Sequence, residues 1–282
     1  MPFTAAESGW RAQLALGFAT DGAVTRLVER RHAGPLRVQK PLYPEGPETC
    51  HAIIVHPPGG IAGGDALSIS MRVGKDASAL VTTPGAGKWY KANGRSARQD
   101  IHIAVAENAT LEWLPQETIV FDAAVAGMQT EVELEEGARY MGSEILCFGR
   151  TASGEIFRSG TLSQRMTIRL AGRPIWFEQG RLEAGTAGMT GPLGLAGKTV
   201  CATCIVVGRA VPAPLITAVR EQAAAATDTR GRFGLTQMKQ LTVARYLGDS
   251  SEQARLLMGM VWQTLRPTVI GREAVIPRIW NT

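Results

Sequence analysis

The feature that most restricts how this chain can fold is an alternation of apolar and polar residues through its first two thirds. Leu67, Ile69, Met71 and Val73 occupy every second position, as do Ile101, Ile103 and Val105, and then Val132 with Leu134. A period of two puts such side chains on one face of a β-strand and leaves the other face polar. Each run ends in a turn (GKDASALVTT, AENATLEWLP, EEGARYMGSEIL) and restarts after a small residue, with Ala77, Ala109 and Ala138 in equivalent places. These alanines recur about every thirty residues, which predicts one strand–turn–strand unit per repeat and stacked β layers; meandering hairpins are the other arrangement compatible with it. A fourth turn, LAGRPIWFEQ around Gly172, extends the series.

Helical signals come late. Residues 213–227 (APLITAVREQAAAAT) are alanine-rich and begin among Pro212 and Pro214, both tolerated near a helix start. Residues 250–265 carry a Ser250 N-cap, Glu252 in the first turn and an apolar face of Leu256, Leu257, Met260, Val261 and Leu265, with Pro267 beyond. Between these helices, 239–247 alternates as a strand. The segment 184–197 (AGTAGMTGPLGLAG) has five glycines and reads as a flexible or exposed loop. The expected fold is therefore mainly β: a stacked-strand, β-helix-like (solenoid) body over 1–210, then a part with about two α-helices over 211–282. With 282 residues, 45% of them hydrophobic, the chain can build this as a single domain.

Composition removes several function classes. No apolar run approaches the ~20 residues of a membrane-spanning helix. The N-terminal MPFTAAESGWRAQ has no basic region followed by an apolar one, so the expected location is the cytoplasm. The formal charge is +5, but the longest basic run is Arg30-Arg31, directly after Glu29, so an acidic protein partner fits as well as nucleic acid. Four cysteines in a chain this long do not make a secreted disulfide framework. Cys201 and Cys204 lie three apart on a strand, where they point to opposite faces and are expected to pack. Cys147 stands alone, and the sequon Asn108-Ala109-Thr110 reads as chance.

Two loops are dense in glycine and proline. Residues 56–65, HPPGGIAGGD, follow a short apolar strand at 52–55 and end on Asp65. Glycine admits positive φ and close backbone approach, so Gly60 and Gly64 are expected to support this loop. The spacing is not that of a dinucleotide fingerprint. Residues 82–90, TTPGAGKWY, contain Gly87-Lys88, but a P-loop needs glycine where Thr82 stands and Ser or Thr where Trp89 stands.

Taken in order, YPEGPETCH (43–51), HPPGGIAGGD, TTPGAGKWY, LEWLPQETIVF (111–121), SEILCFGR (143–150) and the terminal PRIWNT (277–282) resemble the urease accessory protein UreD family, also called UreH. The resemblance implies a β-rich protein of helically stacked strands with two helices. It implies no catalysis and no stably bound cofactor. Instead, it implies help in bringing nickel to apo-urease through an internal tunnel, together with UreF-like and UreG-like accessory proteins. Dimeric assembly would come through those partners, and neither nucleic acid nor membrane is expected.

Nickel in transit is suited by isolated carboxylates more than by a closed His/Cys cage, since the ion must be released. By resemblance, Asp65 lies beside the tunnel; read from the residues alone, it is equally a turn-capping aspartate. Glu144 and Glu178 are carboxylates in otherwise apolar stretches, where an unpaired buried charge is costly, so they face either a partner or a wet channel. Lys88 is expected to pair with a carboxylate and hold the loop in place. Cys50 and His51, with His56 nearby, are candidate nickel ligands, although adjacent strand residues point apart. His32 and His102 have no partner in sequence. Trp262 reads as core, and the PRIWNT tail either docks across the fold or meets a partner. Two other functions fit the residues: a β-solenoid hydrolase or lyase using Asp65, Glu144 and Lys88 as its acid–base set, and a purely adhesive adaptor.

Overall fold

The computed structural model describes residues 9–281; the sequence reading of the N-terminal segment over 1–8, and Thr282 of the PRIWNT run, lie outside them. A hairpin opens the chain, β1 (Arg11–Asp21) and β2 (Val24–Ala33), followed by the short β3 (Arg37–Val38). Four rungs come next, each passing from a strand of one sheet to a strand of the other. They are β4 (Thr49–Val55) to β5 (Ala66–Val73); β6 (Ser78–Thr82) and β7 (Gly87–Trp89) to β8 (Ala97–Val105); β9 (Thr110–Leu114) and β10 (Thr118–Val120) to β11 (Val125–Leu134); and β12 (Arg139–Phe148) to β13 (Thr161–Leu170). The chain closes with β14 (Arg173–Glu183), α1 (Ala187–Thr190), β15 (Val200–Val207), α2 (Ala213–Ala226), β16 (Arg232–Met238), β17 (Leu241–Gly248) and α3 (Ser251–Val269). The rungs make a β-solenoid of about four turns, with helices near the C-terminus.

Equivalent strands of successive rungs pair in parallel, β5–β8–β11–β13 in one sheet and β4–β6–β9–β12 in the other. Antiparallel strands finish both sheets. The seven-stranded sheet runs β14-β13-β11-β8-β5-β1-β2, and the ten-stranded one β16-β17-β15-β12-β9-β6-β4-β3, with β7 and β10 as a short parallel extension beside β12.

The thirty-residue repeat is the tight corner of this solenoid. Ala77, Ala109 and Ala138 each donate their N–H to the carbonyl three residues back (Gly74, Ala106 and Glu135). The preceding residue is left-handed in every case: Asp76 φ +60°, Asn108 φ +57° and Gly137 φ +72°. The alanines are buried because each corner stacks on the next, Thr110 N–H bonding Ala77 O and Arg139 N–H bonding Ala109 O, both at 2.9 Å. Gly172 departs from the series. With Ala171 at φ +48° and Gly172 at φ +75°, it forms a two-residue hairpin that returns the chain within the same sheet.

The two sheets bury their residues differently. Strands of the seven-stranded sheet alternate because only their inner face is covered. The ten-stranded sheet is covered on both faces. Its inner face (Cys50, Ala52, Ile54, Leu111, Tyr140, Ile205) joins the core between the sheets, and its outer face (Leu80, Met141, Ile145, Cys204) packs under α2 and α3. Each buried Leu, Ile or Val contributes about 1.5–3 kcal/mol.

Helix α3 begins as expected, Ser250 Oγ accepting the Gln253 N–H at 3.1 Å, but continues past Pro267 to Val269. Its buried stripe is Ala254, Leu257, Met258, Val261, Trp262 and Leu265. Leu256, assigned to the apolar face from sequence, is 54% exposed and Met260 is only half-buried. Ala254 and Trp262, which sit i, i+8 on that stripe, set the true rotation. The glycine-rich 184–197 segment holds the single turn α1 and buries Leu195.

Candidate functional site

The corner opposite the alanine turns is built by the longer loops, and it gathers the sequence blocks singled out above. HPPGGIAGGD joins β4 to β5, and TTPGAGKWY, holding β7, leaves β6. The two meet where Ile61 bridges Trp89, with Ile61 N–H to Lys88 O at 2.7 Å and Tyr90 N–H to Ile61 O at 2.8 Å. β7 in turn pairs with β10 from LEWLPQETIVF, and β10 with the end of β12 from SEILCFGR. Loops distant in sequence are thus stacked rungs of one edge. The glycines allow this closeness: a Cβ on Gly60 would overlap the Tyr90 ring, and one on Gly63 the Ala92 carbonyl. Gly64, at φ +99°, bonds its N–H to Ser96 O.

Between the sheets lies a cavity of about 800 Å³. It begins beside this corner at His56, Gly60 and Lys88, passes the apolar walls of Ile69, Ile101, Trp113 and Leu162, and reaches Glu144, Glu178, Cys201 and Arg245 at the C-terminal end of the sheets. Glu144, on β12, points inward as Tyr140 and Leu146 do. It accepts a hydrogen bond from Gln164 Nε2 of β13, so this pair crosses from one sheet to the other. Glu144 is half-buried and lines the cavity. Burial pushes its carboxyl up to about 7, against the Gln164 bond that lowers it and with a smaller upward push from Glu178. Glu178, on β14, also crosses between sheets: both its oxygens lie 2.8 Å from Arg245 Nη2 on β17.

Other candidates fall elsewhere. Asp65 caps its loop, Oδ1 accepting the Trp10 N–H at 2.7 Å and Oδ2 the Ala62 N–H at 2.8 Å, and it is not among the residues lining the cavity. Its short side chain reaches its own turn first. Lys88 lines the cavity, yet among the described residues its ammonium has no carboxylate within 4.0 Å; it holds the loop through its backbone carbonyl, which corrects the expected ion pair. The proposed acid–base set is therefore not assembled, because Asp65 is bound to backbone amides, Glu144 to Gln164, and Lys88 to neither. Cys50 faces the inter-sheet core while His51 faces outward, 2.6 Å from Glu45, so the two do not converge on one ion. Burial lowers the ring of His56, with Asp65 partly opposing. His102 meets Glu131 at 3.3 Å on the exposed sheet face. Cys201 lines the cavity and Cys204 packs under the helices, each pushed up to about 12, burial being the largest cause. Among the described residues no group of three or more His, Cys, Asp or Glu side chains is placed to hold a metal ion.

Sequence reasoning missed a second polar cluster on the outer face of the same sheet. Arg266 of α3, fully buried, donates to Glu112 of β9 through Nε (2.9 Å) and Nη2 (2.8 Å), to Glu45 through Nη2 (2.7 Å), and to the Glu273 carbonyl. Trp262 Nε1 donates to Glu112 at 2.6 Å, and His51 joins through Glu45. Burial raises the Glu45 carboxyl, but hydrogen bonds from His51 and Arg266 outweigh it and hold the group below the usual carboxylate range. The tail docks beside this cluster, Trp280 Nε1 donating to Thr82 Oγ1 at 2.8 Å and its ring 5.5 Å from Trp262. A lone arginine one turn past a tryptophan was the available signal. Its partners, 154 and 221 residues away, were not visible locally.

Fold and site together define a β-solenoid protein enclosing a cavity with carboxylates on its wall. The family model for the UreD urease accessory protein matches residues 11–281. A urease accessory protein UreD of Janthinobacterium sp. (strain Marseille) is 57% identical over 96% of this chain and 92% of its own length. Those of Nitrosospira multiformis and Dechloromonas aromatica are 52% and 49% identical, over 99% and 97% of this chain and 100% and 95% of their own lengths. The chain belongs to the UreD family of urease accessory proteins. No helix among the described residues is long and apolar enough to cross a membrane.

Proposed function

We propose that this chain is a non-catalytic scaffold of urease maturation in the cytoplasm, binding apo-urease on one side and UreF-like and UreG-like proteins on the other. Nickel crosses it as cargo through the inter-sheet cavity and is not kept as a cofactor. The observation that carries this reading is the cavity, which extends from the glycine-rich corner to the C-terminal strands with Glu144 and Glu178 on its wall. Single carboxylates on a wetted wall attract a divalent cation and replace part of its water shell without trapping it.

Glu144→Ala with Glu178→Ala, expressed with urease and the other accessory proteins, is expected to leave complex assembly intact while lowering urease nickel content. Full nickel loading by that double variant would remove the conduit and leave a purely adhesive adaptor. Asp65→Ala acts on the corner loop in this scheme, so it alters nickel transfer only as far as it loosens the entrance.

A further inference from the structure

One ion pair, Arg245 with Glu178, spans the C-terminal end of the cavity. Arg245 and Glu178 approach from opposite sheets, and the side chains remain 49% and 37% exposed. Pairing register puts Glu144, Thr203 and Arg245 in one row across β12, β15 and β17. On the facing sheet Glu178 is opposite Met166, two residues from the Gln164 that holds Glu144. Glu144, Gln164, Glu178 and Arg245 therefore bracket the lumen at one level. The Arg245 guanidinium also lies 5.8 Å from the Trp176 ring, a second resting place beside the first.

We propose that Arg245 is the gate and specificity-determining residue of this passage: its guanidinium occupies Glu178 when no ion is present, and only a divalent cation displaces it. The proposal rests on the conduit reading and deepens it. A monovalent cation carries the same charge as guanidinium but lacks the directed N–H donors that Nη2 places 2.8 Å from both carboxylate oxygens, and it is more strongly hydrated, so it exchanges poorly. A divalent cation brings twice the charge, with Glu144 and Glu178 both within reach of the lumen. The displaced guanidinium settles over Trp176, and the pair reforms once the ion has gone.

The test uses the purified full-length chain, titrated calorimetrically with nickel chloride in potassium chloride and in tetramethylammonium chloride of equal ionic strength. Arg245→Gln is expected to bind nickel about tenfold more tightly than the wild type, the factor for a pair that is open about a tenth of the time. Potassium should then weaken the variant while leaving the wild type unchanged, an outcome that mere loss of a structural strut does not produce. If Arg245→Gln fails to fold, Arg245→Lys, which keeps the charge but places it on a more strongly hydrated ammonium, carries the same test with a rise of a few fold. Equal affinity of variant and wild type, or no nickel binding by either, overturns the gate. Should Glu144→Ala with Glu178→Ala lower urease nickel while Arg245→Gln behaves as wild type, the gate alone falls; full nickel loading by that double variant removes the conduit and the gate together.

Discussion

Glu112 and Glu144 belong to paired strands of one sheet, β9 and β12, yet they are buried in opposite ways. Glu112 points outward and is held by Arg266 and Trp262 under a helix. Glu144 points inward and has a single amide, Gln164, at the edge of a cavity. The first carboxylate is paired directly with a buried guanidinium, whereas among the described residues the second has no ion-pair partner. A buried charge that is fully paired fixes a fold, whereas one that is only partly satisfied stays available to a passing ligand. The ten-stranded sheet carries both because alternate residues face opposite sides.

The largest effect should follow from breaking the outer face. Arg266→Met leaves Glu45 and Glu112 buried without their cation and is expected to destabilise the chain by about 3–5 kcal/mol, read as a lowered urea midpoint. Adding Glu112→Gln and Glu45→Gln should recover much of that loss; no recovery would show that packing of the guanidinium, not its charge, matters.

On the inner face, the raised Glu144 carboxyl means that the folded chain binds more protons than the unfolded chain between about pH 4.5 and 7. Stability from this group therefore falls as pH rises through that window, by about 2 kcal/mol once partial exposure is discounted. Glu144→Gln should remove this slope, gaining most at pH 8 and little at pH 5 in thermal melts. Identical slopes in the two proteins would mean that the carboxyl is better solvated than its position suggests.

A smaller loss is expected where the tail seals the outer cluster. Trp280→Phe removes the bond to Thr82 and should cost about 1 kcal/mol, with the difference visible in Trp fluorescence on unfolding. Smallest of all, Lys88→Ala should change stability by less than about 0.5 kcal/mol, since its loop is tied through the backbone.

Much of the architecture could be read from residues alone. Alternation in β5, β8 and β11 identified the strands whose outer face is exposed, and Ala77, Ala109 and Ala138 marked three corners because only a small side chain fits where turns stack. Gly172 resembled a fourth corner, since a hairpin and a solenoid turn both use left-handed residues. Only the direction of the following strand separates them. Strands of the buried sheet carried no such mark, both faces being apolar, and for the same reason the rotation of α3 was misjudged at Leu256.

By itself, the sequence determined the strand-rich stacked body, the late helices and the loop glycines, and it marked Glu144 as a carboxylate among apolar neighbours without saying which face it takes. Tertiary structure alone decided which charges meet. Arg266 with Glu45 and Glu112, Arg245 with Glu178, Gln164 with Glu144 and Asp65 with the Trp10 amide are all long-range pairings. Local propensity sets the direction of a side chain from its neighbours along the strand. Its partner is set by which rung or sheet is brought opposite, and that depends on packing the whole solenoid at once.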